Sequence, residues 1–154
     1  MRYSAGLLPY RTSGGTVEVF LVHMAGPYWA HKDDGAWSVA KGEYDPAIED
    51  PWQVACREFE EEVGMPAPAG EVHDLGEHRM PSGKRVRVYT VATGADLHFV
   101  SSNLFTMEWP HGSGTLREFP ETDGAAWFDL TTAADKVVSG QRGILAAFAA
   151  ACEP

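Results

Sequence analysis

The chain has 154 residues, of which 44% are apolar and 22% are charged, so it is neither an intrinsically disordered segment nor a coiled coil. It carries 22 acidic and 12 basic residues, for a net charge of −10. This balance argues against general binding to nucleic acid or to an anionic membrane surface. No run of about 18 apolar residues occurs, so no transmembrane helix is predicted.

The N-terminal segment and the cysteines indicate the compartment. Residues 1–11 lack the apolar core and the small-residue cleavage site of a secretory signal. Cys56 and Cys152 form neither a metal-ligand spacing nor a disulfide framework. We therefore expect one domain over residues 1–154 in a reducing, cytoplasmic compartment.

The first third of the chain predicts a β-hairpin followed by loops. Strands are expected over 4–11 and 17–23, with a turn at 13–15 that contains two glycines. In the second strand, Val17, Val19 and Leu21 alternate with other positions, as in a half-buried strand. A short strand is expected over 37–39, between loops at 24–35 and 41–50.

A helix is predicted next, with clear start and stop signals. Asp50 is a suitable N-cap, Pro51 suits the first helical position, and Gln53 can complete a capping box. The helix is expected to end near Val63, because Gly64 is a typical C-terminal stop.

The rest of the chain alternates strands with short helices. Strands are expected over 72–80, 85–91, 105–109 and 125–128. Thr131 or Thr132 is expected to cap a helix that ends near Val138, and a terminal helix is expected over 141–150. This order predicts an α+β domain in which helices cover a mixed sheet.

The predicted first helix carries four carboxylates in five positions. At about 100° per residue, Glu58, Glu61 and Glu62 share one side of the helix. One interpretation is a solvated acidic face. However, the acids lie in the last turns, where the helix dipole disfavours negative charge, and Glu58 and Glu62 repel each other at i, i+4. A divalent cation would relieve both effects. Mg²⁺ or Mn²⁺ suits clustered carboxylates, and such a site favours attack of a metal-activated water on a phosphate.

These residues resemble the Nudix box, G-x5-E-x7-R-E-U-x-E-E-x-G-U, in which U is apolar. The matching positions are Gly42, Glu49, Arg57, Glu58, Glu61, Glu62 and Gly64, with Phe59 and Met65 at the two U positions. Six residues rather than five separate Gly42 from Glu49. The extra residue lies in a predicted loop, where an insertion costs little.

The resemblance extends over nearly the whole chain. The segments SAG at 4–6, VFLVH at 19–23, WSVAKGE at 37–43 and AAWF at 125–128 are similar to Nudix domains in the same order. The segments around 26–29 and 105–120 resemble a bacterial subgroup described only as predicted nucleotide pyrophosphohydrolases. The resemblance implies a Nudix fold, which is an α/β/α sandwich around a mixed β-sheet.

The resemblance also implies roles for individual residues. The implied ligands of Mg²⁺, or of Mn²⁺ as a substitute, are Glu58, Glu61, Glu62, Glu121 and the backbone carbonyl of Lys41. The implied catalytic residues are Glu58, Glu61, Arg57 and Glu121. Glu58 or a nearby acid would serve as general base, and Arg57 would orient carboxylates by pairing with Glu58 or Glu49. Glu118, Glu121 and Asp123 are all expected in a loop before the closing strand. Glu121 is preferred because it lies six residues before Trp127.

Basic and aromatic residues are candidates for substrate contact. Lys41, Arg85 and Arg87 are expected to bind substrate phosphates, and Lys84 belongs to the same basic cluster. For Arg85 and Arg87, a solvated strand face is an equally good interpretation, and for Lys41 a solvent-facing side chain is as well. The candidates for stacking on a nucleobase are Tyr28, Trp29, Trp37, Phe105 and Trp109, and the sequence favours none of them.

The predicted function is hydrolysis of a phosphoanhydride bond in a nucleoside diphosphate linked to another group. The predicted partner is a nucleotide-type small molecule, and the protein is expected to be a monomer or a homodimer. Three alternatives remain: a diadenosine polyphosphate hydrolase, a nucleotide-sensing Nudix domain without catalysis, and a plain metal-binding protein.

Overall fold

A computed structural model describes residues 1–152. Its strands are β1 (Tyr3–Ser13), β2 (Thr16–Met24), β3 (Trp37–Ser38), β4 (Ala40–Glu43), β5 (Val72–Arg79), β6 (Arg85–Ala92), β7 (Leu104–Glu108), β8 (Leu116–Pro120) and β9 (Thr122–Asp129). Its helices are α1 (Pro51–Val63), α2 (Leu130–Lys136) and α3 (Arg142–Cys152), and a 3₁₀ turn (Ser139–Gln141) precedes α3.

Seven strands form one mixed sheet. The order is β3-β2-β1-β6-β5, with β9 beside β2 and β4 beside the first residues of β1. The predicted β1–β2 hairpin is confirmed, and β1 runs parallel to β6. β7 and β8 form a separate two-stranded hairpin.

Two cores lie on opposite faces of this sheet. In β2, Phe20 and Val22 pack on the α1 side, whereas Val19 and Leu21 pack with residues of α2 and α3. All four side chains are at most 1% exposed. The expectation of a half-buried strand was therefore wrong, because helices cover both faces. The α/β/α sandwich itself is confirmed.

The predicted boundaries of α1 are confirmed. The Asp50 carboxylate accepts a hydrogen bond of 3.1 Å from the Gln53 backbone N–H, which satisfies one unpaired donor of the first turn. Gly64 ends the helix with φ 84°, a left-handed conformation that favours glycine. These two caps fix the position of the carboxylates along the helix.

Three other elements differ from the sequence expectations. β4 replaces the start of an expected loop, because antiparallel pairing of residues 40–43 with β1 supplies its hydrogen bonds. β8 was not predicted, and it places Glu118 in a strand. The closing strand begins at Thr122 and so contains Asp123.

The cap of α2 also differs from the expectation. Neither Thr131 nor Thr132 is the N-cap. Asp129 is, and its carboxylate accepts a hydrogen bond of 2.7 Å from the Thr132 backbone N–H. A carboxylate one residue before the helix satisfies this donor directly. Among residues 1–152, no helix is long and apolar enough to cross a bilayer.

Candidate active site

Carboxylates from α1 and from the β8–β9 junction meet in one cavity of about 280 Å³, here called the acidic cavity. Strand β4, the residue before β6 and the residue before β7 complete its wall. The lining residues are Lys41, Gly42, Glu43, Glu58, Glu61, Glu62, Lys84, Asn103 and Glu121. The four glutamates implied as metal ligands, and Lys41, therefore all line one cavity.

Gly42 allows one carboxylate to lie against the backbone of β4. A Cβ atom at Gly42 would lie 2.0 Å from Cδ of Glu58 and 2.2–2.5 Å from its two carboxylate oxygens. Such contacts are impossible for real atoms, so only glycine leaves this space free. The Glu58 side chain is only 14% exposed as a result.

Glu62 joins the end of α1 to two strands. Its Oε1 accepts a hydrogen bond of 3.3 Å from the Lys41 backbone N–H. Its backbone carbonyl accepts a hydrogen bond from the Thr122 hydroxyl. These two hydrogen bonds fix the end of α1 against β4 and β9 at the cavity. Glu60, on the same helix, is exposed and takes no part in them.

The cavity disfavours ionisation of the carboxyl groups that line it. Burial raises the pKa of Glu58 to about 7, and its hydrogen bond with the Glu61 carboxyl group adds to this rise. Burial also raises the pKa of Glu62 to about 8, although the Lys41 ammonium acts in the opposite direction. Both carboxyl groups therefore ionise at a higher pH than an ordinary glutamate, and a bound cation would favour their ionised forms.

The donor set fits a hard divalent cation. Several carboxylates line one cavity, and Mg²⁺ prefers carboxylate and water oxygens. Within residues 1–152, however, no three Asp, Glu, His or Cys side chains already stand in a metal-binding arrangement. A bound cation would have to bring these carboxylates into one coordination shell.

Arg57 lies between the acidic cavity and the loop before α1. Its guanidinium contacts Glu49 at 3.2 Å, Glu58 at 3.8 Å and Glu61 at 4.0 Å. Glu49 is itself fixed, because its Oε1 accepts a hydrogen bond of 3.0 Å from the Asp45 backbone N–H. Arg57 is thus placed to orient two cavity carboxylates from outside.

The three acids near the closing strand occupy different environments. Glu121 lines the acidic cavity, and its backbone N–H donates to the Asn103 carbonyl at 3.0 Å. Glu118 is exposed on β8. Asp123 instead contacts Nδ1 of His23 at 2.5 Å. Only Glu121 of these three lines the cavity.

Arg85 and Arg87 share one face of β6, as predicted, but neither side chain lines the acidic cavity. Arg85 pairs with Glu77 at 3.3 Å, and Arg87 pairs with Asp74 at 2.7 Å. Lys84, one residue before β6, lines the cavity instead. Burial and the neighbouring Lys41 lower the pKa of Lys84. A substrate-binding role for the two arginines stays a prediction.

A cleft of about 230 Å³, lined by both apolar and charged side chains, adjoins the acidic cavity, and the sequence did not predict it. Trp29 and Phe105 belong to its lining, together with Glu62 and Glu121. The loop that carries Trp29 is tied down by His23, whose Nε2 lies 2.5 Å from the Lys32 carbonyl. His23 is the polar residue in the otherwise apolar segment 19–23, and this feature of the sequence could have indicated its contact with the loop.

Comparisons with known proteins agree with this architecture. The family model described as the NUDIX domain matches residues 1–148. A Caenorhabditis elegans Ap4A hydrolase in a binary complex is similar at 21% identity and a TM-score of 0.62, over 97% of this chain and 96% of that chain. The NUDIX domain of Shewanella oneidensis NrtR, in complex with ADP ribose, is similar at 12% identity and a TM-score of 0.61, over 94% and 84%.

A MutT/nudix family protein from Enterococcus faecalis is similar at 14% identity and a TM-score of 0.63, over 96% of this chain and 60% of that chain. No match was found among curated proteins. Structural likeness at such low identity shows the fold alone, but the family model covers almost the entire chain. The chain therefore belongs to the Nudix family.

Proposed function

We propose that this protein is a metal-dependent hydrolase that cleaves a phosphoanhydride bond in a nucleoside diphosphate linked to another group. One observation carries the proposal. Carboxylates from α1 and Glu121 line a single cavity, and Lys41 and Lys84 line it as well. Carboxylates suit a divalent cation, whereas lysines suit the phosphates that such a cation accompanies.

The residues that would hold Mg²⁺ or Mn²⁺ are Glu58, Glu61, Glu62, Glu121 and the Lys41 carbonyl. The bound ion would supply a nucleophilic water near neutral pH and would offset charge on the phosphate oxygens. Glu58 or Glu121 would accept the proton of the attacking water. Arg57 would keep Glu58 and Glu61 oriented, because it contacts both carboxylates from outside the cavity.

The substrate must approach a protein of net charge −10. Repulsion of an anionic substrate has to be offset locally, since charges beyond about 10 Å are largely screened at physiological ionic strength. The Lys41 and Lys84 side chains supply positive charge at the cavity itself. We therefore propose that they contact the phosphates, with Lys41 as the sequence predicted.

A dinucleoside polyphosphate hydrolase is the second candidate. Two clefts adjoin the acidic cavity, and both include Trp29 and Lys41 in their walls. Such an arrangement offers space for a group at each end of a phosphate chain. The similar fold of the C. elegans Ap4A hydrolase is compatible with this candidate. A sensing domain without catalysis is less well supported, because every carboxylate of the box is present.

A substrate panel tests the proposal. Nucleoside triphosphates, nucleotide sugars and dinucleoside polyphosphates are incubated with Mg²⁺ or Mn²⁺, and the products are identified by mass. We expect metal-dependent cleavage between two phosphorus atoms, with Glu61→Gln as the inactive control. Ligand-induced stabilisation without turnover of any panel member would refute hydrolysis and support a sensing role.

A further inference from the structure

Strand β9 begins with an irregularity in its pairing to β2. His23 lies opposite Gly124, whereas the next residue, Met24, lies opposite Thr122. Asp123 is therefore an extra residue on β9, and this point of the sheet is a β-bulge. A bulge interrupts the regular alternation of side chains along a strand, so the residues before it can face the opposite side of the sheet.

The bulge changes the side of the sheet that the first residues of β9 face. Trp127 packs on the α1 side, whereas Phe128 packs in the core that α2 and α3 cover. Regular alternation would place Thr122 on the same side as Phe128. Instead, the Thr122 hydroxyl donates a hydrogen bond to the Glu62 carbonyl at the end of α1. This contact holds the adjoining Glu121 at the acidic cavity, which both glutamates line.

His23 joins the bulge to the loop that follows β2. The Asp123 carboxylate lies 2.5 Å from Nδ1 of the ring, and the Lys32 carbonyl lies 2.5 Å from Nε2. Because a carbonyl oxygen and an ionised carboxylate only accept hydrogen bonds, both ring nitrogens act as donors. The His23 side chain is 11% exposed, and its ring packs edge-on against Trp37 at a centroid distance of 4.9 Å. The ring is thus held on three sides, and it fixes Asp123 in turn.

The main chain of Glu121 is attached to the same region. Its carbonyl accepts a hydrogen bond of 3.2 Å from the Ala25 N–H, two residues after His23, and its own N–H donates to the Asn103 carbonyl at 3.0 Å. Without the contact between His23 and Asp123, the bulge can relax towards regular pairing. Such a slip by one residue reverses the faces of the residues before it and turns Glu121 away from its place in the cavity.

We infer that His23 and Asp123 are positioning residues, which maintain the bulge and thereby keep the Glu121 carboxylate at the acidic cavity. Asp123 is not among the residues that line this cavity, so it acts through Glu121. The role rests on the proposed function, in which Glu121 is a metal ligand. Loss of a residue that orients a ligand lowers metal affinity or activity by about 10- to 100-fold.

Calorimetric titration with Mn²⁺ tests this role in the whole protein and does not require turnover. Asp123→Ala removes the acceptor of the Nδ1–H hydrogen bond, and Mn²⁺ should then bind about tenfold more weakly. The Asp123 side chain is 36% exposed, so its removal leaves the core intact. Asp123→Asn is the matched control, because it removes the same charge and keeps an oxygen that can accept this hydrogen bond. Its Mn²⁺ affinity should stay within about threefold of the wild-type value.

Two histidine variants complete the comparison. His23→Gln should weaken Mn²⁺ binding as much as Asp123→Ala does, because one amide group cannot bridge both acceptors. His78→Gln changes another partly buried histidine, whose Nε2 bonds the Leu75 carbonyl at 3.0 Å on β5, and it should leave Mn²⁺ affinity unchanged. A tenfold loss in Asp123→Asn would overturn the inference, since charge rather than the hydrogen bond would then be responsible.

A double-mutant cycle shows whether Asp123 acts through Glu121. In a Glu121→Gln background, Asp123→Ala should change Mn²⁺ affinity by less than about twofold, because the charged ligand that it positions is gone. A tenfold loss that persists in this background would overturn the inference, and so would wild-type Mn²⁺ affinity in Asp123→Ala alone. With a substrate from the panel, Asp123→Ala should lower kcat more than it raises KM. Absent turnover of the whole panel would refute hydrolysis alone, and the Mn²⁺ cycle would still measure the positioning role.

Discussion

The replacement Glu62→Gln tests whether ionisation of a buried cavity carboxylate destabilises the folded protein. The amide keeps an oxygen that can accept the hydrogen bond from the Lys41 N–H, and it cannot ionise. The folded-state pKa of Glu62 is raised from 4.5 to about 8. The un-ionised side chain is therefore favoured in the folded protein, and this preference stabilises the fold fully below pH 4.5 and is lost as the pH rises through 8.

The magnitude follows from the size of the pKa difference. One pKa unit corresponds to about 1.4 kcal/mol. In a fully rigid cavity, the wild-type protein would therefore lose roughly 5 kcal/mol of its free energy of unfolding by pH 9. Relaxation of the side chain and entry of water reduce this penalty, and we expect about 2 kcal/mol. In the absence of metal, Glu62→Gln should therefore be more stable than wild type by about 2 kcal/mol at pH 9 and nearly equal to it at pH 5.

Denaturant unfolding in EDTA at pH 5, 7 and 9 measures this difference, with Glu60→Gln as the exposed control on the same helix. Mg²⁺ should then stabilise the wild-type protein at pH 8 far more than Glu62→Gln, because binding to the folded state alone raises its stability. A Glu62→Gln protein that is less stable than wild type at pH 9, or equally stabilised by Mg²⁺, would refute the reasoning.

Three further outcomes are expected from steady-state kinetics. Glu61→Gln should lower kcat by roughly 100-fold or more, and excess EDTA should abolish wild-type turnover; full activity in either case would contradict the metal assignment. Glu121→Gln should lower metal-dependent turnover markedly, and Glu118→Gln should lower it less, since only the Glu121 side chain lines the acidic cavity. The reverse order would show that Glu118, not Glu121, belongs to the site. Alanine at both Arg85 and Arg87 should raise KM more than it lowers kcat, whereas unchanged kinetics would assign both arginines to their ion pairs on β6.

Local patterns predicted the elements whose signals lie within a few residues. The cap at Asp50, the stop at Gly64 and the shared face of three glutamates are all encoded along one helical segment, and the structure reproduces the helix boundaries. The same holds for the β1–β2 hairpin, whose turn contains two glycines. Such features could be predicted because their hydrogen bonds close over short stretches of chain.

The features that escaped prediction depend on distant partners. β4 contains a lysine, a glycine and a glutamate, which are weak strand formers, and pairing with β1 makes it a strand. The contact of His23 with Asp123 joins residues 100 positions apart. β6 begins at Arg85, as predicted. Lys84 nevertheless lines the cavity, whereas Arg85 and Arg87 form ion pairs with residues of β5, and this difference depends on contacts outside the strand itself.

The carboxylates of α1 show why the site could be predicted from the sequence although several of its contacts could not. Glu60 is exposed and behaves as an ordinary solvated acid, whereas Glu58 is 14% exposed and Glu62 is held against β4. Burial adds to the unfavourable helix dipole and to the mutual repulsion, so the fold intensifies the cost that the sequence already implied. Gly42 removes the Cβ atom that would keep Glu58 out, and Arg57 offsets part of its charge from outside. Local structure, packing and charge thus all disfavour this cluster in the absence of a cation, and a binding function accounts for its retention better than a structural one.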